Sequence, residues 1–155
     1  MGESKIFYII GGLVTLLATF LFSFHTYFPG LYFSSIGLIM NIPTLFTSGD
    51  ILVIIMAIVF IIFLLSGIFI LLGVKSRKLA IIGSLFTIVV GVYFMLVFYV
   101  GIPFSQFAFM FLDIALIEGI FPLNISFGII SIGPILLLAG GVIGLISGIK
   151  DTGWI

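Results

Sequence analysis

Apolar positions along this chain gather into four long runs, residues 6–24, 51–73, 79–101 and 125–149, and none of them contains a charged residue. A helix needs roughly 20 mostly apolar residues to cross about 30 Å of hydrocarbon, so each run predicts a spanning helix. The flanks carry start and stop chemistry. The first run leads into Pro29-Gly30, and the third ends at Gly101 with Pro103 beyond it. Ser48 and Asp50 are placed to cap the second helix and Asn124 the fourth. The second run finishes at Gly73, and Lys75, Arg77 and Lys78 follow where a helix dipole is negative.

The basic residues then set the orientation. With four crossings, Lys5, the Lys75/Arg77/Lys78 cluster and Lys150 fall on one side, and His25, Asp50, Asp113 and Glu118 on the other. The basic side is predicted to be cytoplasmic, with both termini inside, at the cell membrane. The two outer segments, 25–50 and 102–124, are almost as apolar as the spans. A fifth crossing at 104–121 is the rival reading, but it leaves only Ile102-Pro103 to reverse the chain and puts Lys150 outside. Short helices lying in the interface or folded over the end of the bundle suit these segments better. A re-entrant segment requires its backbone to be shielded by protein. No small-residue cleavage pattern follows the first run, so no removed signal peptide is expected. Ile6 stands where myristoylation needs Ser or Thr. The sequon Asn124-Ile125-Ser126 reads as a helix cap rather than a glycosylation site.

Composition narrows the class further. Of 155 residues, 63% are hydrophobic and 6% charged, whereas soluble domains carry about 25% charged residues. A water-soluble domain, a nucleic-acid binder and a disordered chain are thereby excluded. Five basic and five acidic residues balance, so charge names no polyanionic partner. Without cysteine there is no disulfide, thiolate metal site or Cys nucleophile. The fold class expected is an all-α membrane protein, a four-transmembrane-helix bundle in one domain over residues 1–155.

The two halves look alike. Ile9-Ile10-Gly11-Gly12-Leu13-Val14-Thr15 matches Ile81-Ile82-Gly83-Ser84-Leu85-Phe86-Thr87, and Gly73-Val74-Lys75 matches Gly148-Ile149-Lys150. This predicts a duplication of a two-helix unit, with halves 1–74 and 75–150 related by an axis along the membrane normal. Chance among Ile, Leu and Gly is the competing explanation. The repeat aligns small residues: Gly11, Thr15, Thr19 and Ser23 in the first helix, Gly83, Thr87 and Gly91 in the third, and Gly140, Gly144 and Gly148 in the fourth. Such stripes let backbones approach closely. The first, third and fourth helices are therefore expected to make the tightest contacts, within the chain rather than between subunits.

Candidate chemistry is sparse. His25, Asp50, Asp113 and Glu118 share the outer side and include ligand types for a divalent metal. They are scattered over three segments, and Asp113 and Glu118 stand about 140° apart on a helix. The expected reading is polar residues at the water boundary, with no metal or other cofactor. One histidine cannot supply two haem ligands. The runs hold no ionisable residue of the kind that marks an ion path, and no nucleophile–base pair or phosphate loop is present. Thr15, Thr19, Ser66, Thr87, Ser131 and Ser147 can bond back to helix carbonyls. Pro134, after Gly133, is expected to kink the fourth helix by removing the bond to the Ile130 carbonyl.

Inside termini and two outer loops make a topology that resembles that of tetraspan proteins such as claudins. Claudins carry a Trp-and-Cys signature in the first loop, whereas this chain has no Cys and its one Trp is Trp154 in the inner tail. The resemblance is therefore one of topology. Three functions follow, in descending order. The first is a non-catalytic multi-pass membrane protein, an accessory or structural subunit packing in the lipid bilayer against other membrane proteins or itself. The second is a small oligomeric transporter or channel using the Pro134 kink. The third is a membrane enzyme or quinone-site subunit using His25 and the outer carboxylates.

Overall fold

A computed structural model describes residues 2–28, 31–101, 105–114, 122–123, 125–127 and 130–150. The expectations placed on Pro29, Gly30, Pro103, Glu118, Asn124 and Trp154 lie outside the described residues. The chain is mostly helical. Helix α1 (Gly2–Leu16) continues into a π-helical turn, Leu17–Leu21. Strands β1 (His25–Phe28) and β2 (Leu31–Phe33) follow, then α2 (Ser35–Phe46). Next come α3 (Ile51–Leu64), α4 (Ser66–Leu71) and α5 (Arg77–Met95), the last extended by a π-helical turn, Leu96–Val100. A 3-10 segment, Ser105–Phe111, leads into β3 (Leu112–Ile114). Short strands β4 (Ser126–Phe127) and β5 (Ile130–Ser131) precede α6 (Ile132–Lys150).

Two helices are long and apolar enough to cross a membrane, Arg77–Val100 and Ile132–Lys150, and a third span forms if α3 and α4 are taken together across a 42° bend. Residues 5–21 form a shorter apolar helix. Several ends follow the sequence signals. The Asp50 carboxylate accepts from the Leu52 N–H at 3.0 Å and caps α3. Gly101, at φ +85°, ends the helix begun at Arg77 in the left-handed conformation that glycine adopts without cost.

Other ends depart from expectation. The first helix stops at Leu21, not Phe24, because extended pairing claims the next backbone groups. Ser23 N–H donates to Leu123 O at 2.8 Å and Phe24 N–H to Phe33 O at 2.6 Å. The second run breaks at Leu65, whose N–H turns back to Ile62 O at 3.0 Å. The fourth helix begins at Ile132 rather than 125, and Pro134 produces no mid-helix kink. It sits in the first turn, where its missing N–H is one of the unpaired donors anyway, and its ring would collide with the Ile130 carbonyl if the helix ran further upstream.

The outer segments are more than interfacial helices. Among the described residues α2 is the one α-helix there; β1, β2 and β3 form an antiparallel sheet in that order, joining the first outer segment to the second. The described part of 104–121 is the 3-10 segment and β3, with no α-helix among those residues. Asn41 on α2 ties the segments together, its amide donating to the carbonyls of Met110 and Leu112, both at 3.0 Å. Beneath lies an aromatic cluster. Phe24 stacks on Phe94 at 4.5 Å, and Phe111 meets Phe60 edge-on at 4.7 Å and Phe94 at 5.2 Å.

Helices α1, α4, α5 and α6 pack side by side, α4 and α6 each touching both α1 and α5. The contacts run antiparallel along α1 and α6: Tyr8 with Ser147, Gly11 with Gly144, Thr15 with Gly140 and Ser23 with Gly133. They also do so along α5 and α6, from Ile81 at Gly148 to Gly91 at Leu138. Lys5, Lys75, Arg77, Lys78 and Lys150 therefore gather at one end of the molecule, and His25, Asp50 and Asp113 at the other.

Candidate functional site

Two regions collect the polar side chains, and both are built by long-range packing. The first is the seam around α6. A methyl at Gly11 would stand 3.0 Å from Gly144 N and 3.1 Å from Gly140 O. One at Gly83 would stand 2.6 Å from Ser66 O, and one at Gly148 would stand 2.6 Å from Ile81 Cγ1. Gly91 faces Leu138, and Gly144 faces Ser84 Oγ and Ile70. Such approaches leave no room for a further side chain, and backbone, short hydroxyls and the side chains of Ile70, Ile81 and Leu138 fill the seam. Ser23 has left the helix, and its carbonyl, not its side chain, crowds Gly133. The stripes missed Gly12, Gly67 and Gly141. Gly12 and Gly67 admit Leu71 and Leu16 respectively, so the second run, through α4, packs as closely as the others.

Hydroxyls in the seam are largely self-satisfied. Thr19 donates to Thr15 O at 2.7 Å and Ser147 to Ile143 O at 2.7 Å. Thr87 donates to Gly83 O at 2.9 Å and pairs with the Ser66 hydroxyl at 2.8 Å. Two are exceptions: Thr15 Oγ1 and Ser84 Oγ are buried without a hydrogen-bond partner. Both lie against α6, beside Gly140 and Gly144.

The second region is the outer corner around His25. The imidazole stacks on Phe98 (4.8 Å between centroids, 15°), lies 6.1 Å from Phe33, and meets Tyr99 edge-on at 5.3 Å. His25 Nδ1 is 3.3 Å from the Tyr99 hydroxyl. The same hydroxyl oxygen accepts the Ser131 N–H at 2.8 Å and lies 3.5 Å from Phe24 O. Ser131 is thus in β5, not in a helix that could satisfy its hydroxyl. Partial burial among rings lowers the His25 pKa below its usual 6.5. Tyr99 was invisible as a site residue, since nothing local distinguishes it from other aromatics of the third run.

Among the described residues the outer ligands do not converge. Asp50 is spent on its cap. Asp113 pairs across the sheet with Tyr32, while His25 pairs with Phe33, so by strand alternation the two point to opposite faces. Glu118 lies outside the described residues. Among the described residues no three His, Cys, Asp or Glu side chains form a group able to hold a metal. A groove of about 390 Å³ opens between α2, α3 and the 3-10 segment. Its polar lining is Asn41, Thr44 and Gln106, all uncharged, so it offers no acid–base pair. No family model, curated protein or solved structure matches the chain.

Proposed function

We propose that this chain is a non-catalytic multi-pass membrane protein that serves as an accessory or structural subunit beside other membrane proteins or further copies of itself. In this reading it crosses the cell membrane four times, through α1 with its π-helical turn, the bent α3–α4 pair, α5 and α6. The basic end is cytoplasmic, and the outer sheet with α2 lies on the far side. One observation carries the reading. Among the described residues, the buried side chains with polar atoms are serines, threonines and the Tyr8 phenol, which donates to Ser147 O, and no charged side chain is buried. Ion and proton paths are marked by ionisable groups at membrane depth, and catalysis needs positioned acids, bases or nucleophiles. Meanwhile large apolar side chains face outward on every helix, among them Leu13, Ile55, Val89 and Ile146, as a lipid or protein neighbour requires.

Two measurements test it. Vesicles reconstituted with the chain should hold proton and potassium gradients as long as protein-free vesicles do. Dissipation would favour the small oligomeric channel or transporter instead. In mild detergent the natively expressed chain should migrate as an assembly larger than one copy, and a lone monomer would sink the subunit reading.

A further inference from the structure

The His25 corner joins three parts of the chain that are remote in sequence: β1, the end of the helix begun at Arg77, and β5 where it enters α6. The Tyr99 hydroxyl is their meeting point. Its oxygen accepts the Ser131 N–H at 2.8 Å, so its own proton needs an acceptor. The neutral imidazole in its Nε2–H tautomer provides one at Nδ1, 3.3 Å away and nearer than Phe24 O at 3.5 Å. We propose that His25, Tyr99 and the Ser131 amide form an acid-responsive latch that holds the outer sheet to the start of α6 when His25 is neutral and loosens when it is protonated.

Protonation turns Nδ1 from acceptor into donor. Two donors, His25 Nδ1–H and Ser131 N–H, then compete for the one phenol oxygen, and the Tyr99 proton is left with Phe24 O. The imidazolium, half-buried and stacked on Phe98, also gives up part of the hydration a charged ring needs. Among the described residues no carboxylate offsets the charge. Tyr99 is the titratable group facing it from the α5 side, β5 presents Ile130 and Ser131, and Tyr32 and Asp113 stand on the opposite face of the sheet. Burial moves the exchange below the usual imidazole pKa of 6.5.

The chain has one histidine, so a single imidazole signal reports its titration by NMR in lipid nanodiscs, and hydrogen-exchange protection of the Ser131 amide reports the latch. Protection should fall about five- to tenfold as the imidazole signal titrates, the loss expected for one hydrogen bond. His25→Gln cannot ionise and should hold Ser131 protection constant over the same range. Tyr99→Phe should leave Ser131 weakly protected at every pH, with no step at the His25 titration. Unchanged wild-type protection across the titration would overturn the latch. So would an acid step that survives in either variant.

Discussion

Thr15 and Ser84 show how little a polar group in the seam needs to contribute to be kept there. Each hydroxyl oxygen lies against a glycine of α6 and finds no N–H or O–H partner. A buried unsatisfied hydroxyl costs about 1–3 kcal/mol, whereas its clean removal is close to neutral. Ser84→Ala should therefore melt at or above the wild-type temperature in detergent. Thr15→Val should melt lower despite its matching shape, because a methyl is wider than the oxygen that now fits beside Gly140. Equal melting of both variants would show that the seam does not discriminate oxygen from carbon. His25 adds a pH dependence at this scale. Its folded pKa is depressed below 6.5 by burial, so the unfolded chain binds the proton more readily. The stability contributed by neutral His25 is complete above pH 6.5 and is lost as pH falls from there through the folded value. Thermal melts from pH 7.5 to 4.5 should show this loss in the wild type and less of it in His25→Gln.

Among the elements, α6 and α4 are placed by what they lack. Glycine along α6 lets the α1 backbone and the α5 side chains approach closely, and Gly12 with Gly67 brings the backbones of α1 and α4 together. Gly144→Leu or Gly83→Leu must separate helices over several turns, and either should lower the melting temperature strongly. Ile55→Leu, on an exposed face of α3, should be almost silent, and parity among the three would refute the seam. The α3 start is set differently, by one exposed cap. Asp50→Ala should cost about 1 kcal/mol, read as a small drop in melting temperature with no change in the packing of α6.

At the scale of the whole molecule, antiparallel packing sorts charge to the two ends. Ser76 lies beside the basic cluster and Ser48 beside Asp50 at the other end. Cysteine at Ser48 should react with an impermeant thiol reagent in intact cells, and cysteine at Ser76 should react only after permeabilisation. Early labelling at Ser76 would reverse the proposed orientation.

What the sequence determined on its own is what depends on neighbours along the chain. Length and apolarity mark the Arg77–Val100 and Ile132–Lys150 helices, Asp50 caps α3 from two residues away, and Gly101 ends a helix by its own conformational freedom. Spacing of small residues pointed to Gly11, Gly83 and Gly144 because helical periodicity is local geometry. Pairings between distant segments carry no such mark. Strand β3 joins β2 across some 80 residues, and its hydrogen bonds, with those of Ser23 and Phe24, are what draw the chain out of helix at the outer end. Pro134 shows the limit within a single residue. Its lack of an N–H was plain, but whether that would bend a helix or begin one depended on where the upstream backbone found its partners, Ile132 with Ile125 and Ser131 with Tyr99. The Tyr99 partner exists only once the bundle has closed, so tertiary structure helped decide that end of the helix and assembled the His25 corner with it.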